Sequence, residues 1–231
     1  MDLSAFLATI STWLAAISVW AIPVLFAVTL HEVAHGWTAR YFGDRTAQLL
    51  GRLSLNPLRH IDPLGSVVVP GALLLAFGLP LFGWAKPVPV ETSGLRNPRR
   101  TSIMIALAGP AANILMAVLW GAVLAAVLQI RMQIGRGQTL DDWVLLMAQA
   151  GIEVNAVLAV INLLPIPPLD GGRVLVGVLP TRLGAGLEKI APAGMFIVVG
   201  LSVLGLLGWL FGPAHRAAGQ LIHVLGIGLS T

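Results

Sequence analysis

The sequence predicts an all-α polytopic membrane protein, with about five to six transmembrane helices and a small β-strand or re-entrant element. Three observations predict it. Of the 231 residues, 10% are charged and 57% hydrophobic, whereas soluble domains carry about 25% charged residues. The deficit is spread along the whole chain, and mean hydropathy is +0.87. Apolar blocks recur near the roughly 20 residues needed to cross hydrocarbon. No polar block is long enough for a second core, so residues 1–231 are expected to form one integral-membrane domain.

The first block, Leu3 to about Tyr41, exceeds one span. No turn cluster divides it, so it reads as an interfacial segment followed by one long helix kinked near Pro23 and ended by Gly43-Asp44. Its start, Met1-Asp2-Leu3-Ser4, has no basic n-region or cleavage site and reads as a retained segment, not a signal peptide. Gly65 to Phe82, broken by Pro70, Gly71, Gly78 and Pro80, either spans or re-enters. Thr101 to Ile130 is a clean span, and Trp143 to Leu164 is another, ended by Pro165, Pro167 and Pro168. Ala191 to Phe211 is a fifth, and His215 to Leu229 lies along the surface or completes a sixth.

The net charge of +4 comes mainly from short basic loops, Arg40 to Arg59, Lys86 to Arg100, and Arg131 with Arg136. Such loops suit positive-inside topology and anionic head groups. No long Lys/Arg run exists, which argues against nucleic acid as a partner. If Gly65–Phe82 spans, the first two basic loops fall on opposite faces, so a re-entrant reading is favoured. Cysteine is absent, so any metal must be held by His, Asp or Glu.

The chemistry starts at His31-Glu32-Val33-Ala34-His35, after a run from Leu3 to Leu30 without one ionisable side chain. Such groups in a membrane segment are costly and read as a functional site by default. On a helix, residues i and i+4 share a face, so His31 and His35 can offer two imidazole nitrogens to one metal. Glu32 then stands beside an activated water, as in metalloproteases. Catalytic zinc needs a third protein ligand. Among the remaining histidines and acids, Asp170 stands out, with three prolines just before it and Gly171-Gly172 after it to permit an unusual backbone. Irregular backbone at membrane depth is tolerated where it is buried or lines a cavity. A turn or N-cap aspartate is the competing reading of Asp170, and Glu153 or Glu188 are rival third ligands. Asn113, in a membrane helix, fits either an interhelical hydrogen bond or a place at the site, and Asn162 has the same choice. His60 reads as solvated or loop-stapling, and His215 and His223 as structural.

In Gly83–Val90, Pro87 and Pro89 lack N–H groups while Lys86, Val88 and Val90 keep theirs. As a strand, the segment would have one donor-poor edge, which either blocks aggregation or receives an unwound substrate as an added strand. The donors at 86, 88 and 90 face a neighbouring strand or that substrate.

Taken in order, His31-Glu32-x-x-His35, Ala108-Gly109-Pro110-x-x-Asn113 and Asn162-x-x-Pro165-x-x-Pro168-Leu169-Asp170-Gly171-Gly172 closely resemble the site-2 protease family of intramembrane zinc metalloproteases. Asn56-Pro57-x-x-His60-Ile61-Asp62-Pro63-x-Gly65 and Gly83-Trp84-Ala85-Lys86-Pro87-Val88-Pro89-Val90 reinforce it, so the resemblance runs from about Thr29 to Arg173. It looks nearest to the compact prokaryotic branch without PDZ or CBS domains. The resemblance implies that His31, His35 and Asp170 bind one Zn2+ per chain and that Glu32 activates water. It implies that Asn113 holds the substrate backbone or the developing oxyanion. It further implies peptide-bond hydrolysis in or near transmembrane segments of membrane-protein substrates, by a multi-pass protein of a prokaryotic cell membrane. The rival is a non-catalytic zinc-binding membrane protein, a transporter or a client-sequestering protease relic. Transport would favour charged pairs on several spans or two halves with matching breaks, and the sequence has neither.

Overall fold

The computed structural model describes residues 3–68, 85–134 and 139–205, with isolated helical residues at 212, 216, 219 and 220. The described residues are helical or irregular, with no strand among them. The first helix, α1 (Leu3–Tyr41), runs 39 residues through Pro23. At 1.5 Å per residue it is about 58 Å long, close to twice the thickness of the hydrocarbon core. The interfacial segment expected ahead of it is therefore part of one continuous helix. It ends where the sequence places its stop: Gly43 takes φ +106°, its N–H donates to Arg40 O, and the Asp44 N–H donates to Ala39 O. This is a Schellman cap, which needs a left-handed residue at that position. Short α2 (Thr46–Leu49) closes the same way at Gly51, φ +64°.

Two further long helices form the rest of the bundle, α3 (Pro98–Ile134) and α4 (Thr139–Asn162). α1 packs on both, and α3 also packs on α5 (Asp170–Val178). Leu124 of α3 meets Ala148 and Ile152 of α4 in a buried cluster flanked by Trp120, Leu128 and Leu145. Gly151 lets the helices close there, since a Cβ at that position would lie 2.4 Å from the Trp120 ring. Two more helices follow, α6 (Thr181–Glu188) and α7 (Ala191–Val203).

Three described helices are long and apolar enough to cross a membrane, Ser11–Tyr41, Pro98–Gln133 and Asp142–Asn162. A fourth is reached if the pair Thr181–Glu188 and Ala191–Leu201, bent by 49°, counts as one span. Among the described residues, therefore, three to four of the expected five to six spans are present. The expectations for 69–82 and for most of the 215–229 tail, His215 and His223 included, lie outside the described residues.

The two basic loops, however, lie side by side. The Lys86 N–H donates to His60 O at 2.9 Å, Arg52 donates to Lys86 O at 2.7 Å, and the Glu91 N–H donates to Asp44 Oδ2 at 2.7 Å. The residues on either side of 69–84 therefore lie at one end of the bundle. The strand expected at 83–90 is absent from its described part, 85–90. Its backbone bonds go to a loop carbonyl and to side chains rather than to a ladder.

Candidate metal centre

His31 and His35 sit one turn apart on α1, both buried, with ring centroids 4.6 Å apart and planes at 89°. Helical spacing alone brings them to one face; their partners on α3 fix the ring directions. His31 Nδ1 lies 2.7 Å from Asn113 Oδ1, and His35 Nδ1 lies 2.7 Å from Ile105 O. Both partners are acceptors, so each Nδ1 carries a proton, and in the neutral ring each Nε2 keeps its lone pair.

Those two lone pairs converge. The Nε2 atoms are 3.0 Å apart, and Asp170 Oδ2 lies 3.2 Å from one and 3.3 Å from the other. Asp170 Oδ2 is buried without a hydrogen-bond donor. With both rings neutral, three electron-pair donors face one another, which is unfavourable unless a cation sits between. Tetrahedral zinc with nitrogen and oxygen ligands at about 2.0–2.1 Å has ligand–ligand edges of about 3.3 Å. The observed edges fit that shell. Among the described residues His31, His35 and Asp170 form the group able to hold a metal, and Glu153 and Glu188 stand outside it.

Two sets of glycines make room for this cluster. At Gly109 of α3 a Cβ would lie 2.5 Å from both His31 Cε1 and His35 Nε2, so only glycine lets α3 pass behind the imidazoles. Gly171 and Gly172 follow Asp170, where Cβ atoms would lie 2.2 Å from Leu163 O and Pro167 N respectively. Neither has positive φ. The sequence reading of these two as a licence for unusual backbone is corrected: they serve close approach of α5 to the turn that precedes it.

Glu32 is half-buried, and its Oε2 accepts the Val88 N–H at 2.8 Å. Two of the three donors considered for substrate, at Lys86 and Val88, are thus engaged inside the chain, on His60 O and on Glu32. The Asn162 amide donates to Leu158 O of its own helix at 3.0 Å. His60 staples its loop through Ser54 O.

Asn113 departs from the expectation of an oxyanion donor. It is 1% exposed, and Nδ2 donates to Asn155 Oδ1 at 2.9 Å and to Ala27 O at 3.3 Å. Both N–H groups are spent, leaving none for a developing charge, and its oxygen orients His31 instead. Asn155 itself is buried completely and was missed in the sequence. The signal that flagged Asn113, a lone amide in an apolar span, was equally present there.

The family model described as Peptidase family M50 matches residues 125–205, which include Asp170 and all of α4. The chain is 33% identical over 202 residues to "Putative zinc metalloprotease YwhC" of Bacillus subtilis (strain 168), covering 85% of each chain. It is 35% identical over 199 residues to "Putative zinc metalloprotease Rip2" of Mycobacterium tuberculosis (strain ATCC 25618 / H37Rv), covering 83% of this chain and 69% of that one. A protein of the same name in Mycolicibacterium smegmatis (strain ATCC 700084 / mc(2)155) is 33% identical over 198 residues, covering 81% and 68%. No solved structure matches the chain.

Proposed function

The chain belongs to peptidase family M50, the site-2 protease family of zinc metalloproteases, and from that premise we propose that it hydrolyses peptide bonds within or beside the transmembrane segments of membrane-protein substrates. The observation that carries this reading is the convergence of His31 Nε2, His35 Nε2 and Asp170 Oδ2, the two histidines on a helix able to span a membrane. His31 lies 10 residues from the basic end of α1, about 15 Å along the axis and near mid-depth of the hydrocarbon core. The protein accordingly works as a multi-pass protein of a cell membrane.

His31, His35 and Asp170 would hold zinc. Bound there, zinc supplies Lewis-acid chemistry that brings the pKa of water to about 7. The Glu32 carboxylate accepts the proton as water attacks the peptide carbonyl, and returns it to the leaving amine. Asn113 holds His31 in register through its Nδ1. Helical hydrogen bonds shield a scissile carbonyl, so the substrate must be unwound locally. We place that unwound stretch against Lys86, Val88 and Val90, with Asn162 facing it. The Val88 N–H, which rests on Glu32, is then the donor for which a substrate carbonyl competes.

The test is the pair Glu32→Gln and Asp170→Ala in the full chain, with zinc content and cleavage of a reconstituted transmembrane substrate as readouts. The first variant should keep zinc and lose cleavage; the second should lose both. A non-catalytic zinc protein would keep its activity with Gln at position 32, and that result overturns the reading.

A further inference from the structure

The two histidines obtain their orientation from different kinds of acceptor. His35 Nδ1–H donates to Ile105 O, a main-chain carbonyl that cannot turn over. His31 Nδ1–H donates to Asn113 Oδ1, one end of an amide that can. An amide reversed by 180° places NH2 where oxygen was and looks nearly the same in shape. Reversal at Asn113 would confront His31 Nδ1 with a donor. It would drive the ring proton to Nε2, into the centre of the ligand cluster, and would abolish the lone pair there.

A single fixed direction prevents this. Asn155 Nδ2 donates at 2.8 Å to Gly151 O, a backbone carbonyl one turn earlier on α4. That bond turns Asn155 Oδ1 toward Asn113, whose Nδ2 donates to it at 2.9 Å. Ala27 O accepts from the same Nδ2 at a longer 3.3 Å. Asn113 Oδ1 is left facing His31 at 2.7 Å. Polarity passes from a main-chain carbonyl of α4, through two buried amides, to an imidazole of α1. Asn155 and Asn113 are 0% and 1% exposed, so water does not offer either amide an alternative partner.

We propose that Asn155 is a positioning residue that sets the tautomer of His31, holding the proton on Nδ1 and the Nε2 lone pair toward the metal. The proposal rests on the zinc reading of the cluster, and it makes a claim about the metal-free protein as well. Outer partners of metal-binding histidines contribute about 10–100-fold in affinity. Asn155 acts one bond further out, with Ala27 O in partial reserve, so the low end of that range is expected.

The experiment uses the full chain in detergent micelles. Zinc affinity is measured by chelator competition, and the protonated nitrogen of His31 is read from 15N-histidine NMR of the metal-free protein, assigned with His31→Ala. Asn155→Leu removes the acceptor with similar branching and should weaken zinc binding about tenfold, with the Nδ1–H signature of His31 giving way to a mixture. Asn155→Asp keeps an oxygen facing Asn113 and should stay within about threefold of the wild type. If the leucine variant does not accumulate, Asn155→Ala carries the same expectation. Wild-type zinc affinity and an unchanged His31 tautomer in the leucine or alanine variant overturn the proposal. Equal weakening by Leu and Asp, with the tautomer unchanged, also overturns it, because it shows a packing role alone. A wild-type chain that binds no zinc overturns the metal reading, while the NMR signature still decides the tautomer claim.

Discussion

The Val88 N–H donates to the Glu32 carboxylate at 2.8 Å, joining residues 56 apart in the chain. The contact sits on a strap that is fixed on both sides. Lys86 is tied to His60 O and Arg52, and the Glu91 N–H to Asp44. Gly36 of α1 admits this arrangement, since a Cβ there would lie 2.4 Å from Leu53 and 3.0 Å from Val88. The carboxylate proposed as the base is therefore held by the same segment proposed to receive substrate.

Glu32→Gln separates holding from proton transfer. The Gln carbonyl still accepts the Val88 N–H, so the strap stays docked and the metal ligands are untouched. What is lost is a group able to take a proton, worth about 10²–10⁴-fold in rate. Zinc stoichiometry should be unchanged by metal analysis, with single-turnover cleavage reduced by that factor. A variant that loses zinc along with activity would show that Glu32 belongs to the ligand set.

Gly109→Ala should weaken zinc binding while leaving α3 helical. Alanine is the better helix former by roughly 1 kcal/mol, so local propensity favours the change. The added methyl, however, would stand 2.5 Å from His31 Cε1 and His35 Nε2, and both rings are fixed at Nδ1. One imidazole must rotate out of the cluster. Circular dichroism should be unchanged and zinc affinity should fall at least tenfold, the lower figure for disturbing a metal-orienting contact.

Much of this centre was legible in the sequence because the membrane makes polar residues conspicuous. His31, Glu32 and His35 end a run with no ionisable group, and helical periodicity sets two imidazoles on one face without tertiary information. Asp170 was legible through the three prolines that precede it. Partner choice was not legible. Whether an amide such as Asn113 meets substrate, a neighbouring helix or an imidazole is decided by packing, and the answer required the positions of Asn155 and Ala27. Length was misread for a related reason. An apolar block marks where a helix is allowed, not where it stops, so α1 continues as one helix where a separate interfacial piece was expected. Gly43, by contrast, was readable, because a helix C-terminus calls for a left-handed residue.

Asp44 gives the strap a dependence on acid. Burial favours the neutral carboxyl, but donors from Thr46 and from the Glu91 N–H hold its pKa below the usual carboxylate value. A depressed folded pKa contributes stability that is present in full above the unfolded value, about 3.9. It is lost as pH falls through the lower folded value. Between pH 5 and 7 the contact should be constant, and below about pH 4 it should weaken. Asp44→Asn, which presents one acceptor oxygen instead of two, should melt earlier than the wild type at neutral pH. The gap should narrow in acid when thermal unfolding is followed from pH 7 to pH 3.

The glycines after Asp170 supply a comparison within one region of the chain. At Gly171 a Cβ would lie 2.2 Å from Leu163 O and 2.4 Å from Leu163 C, backbone atoms at the end of α4 that cannot rotate away. At Gly186 of α6 nothing lies within 4 Å. The same substitution should therefore change sign between them. Gly186→Ala relieves the entropic cost of glycine inside a helix and should raise stability by about 0.5–1 kcal/mol. Gly171→Ala must push α5 off its turn, an overpacking cost of about 1–3 kcal/mol. Because Asp170 is the first residue of α5, that shift also withdraws Oδ2 from the histidines. Thermal melting in detergent should show opposite displacements, and zinc affinity should fall in Gly171→Ala alone. Were Gly171→Ala to melt lower yet bind zinc as the wild type does, Asp170 could not be the third ligand.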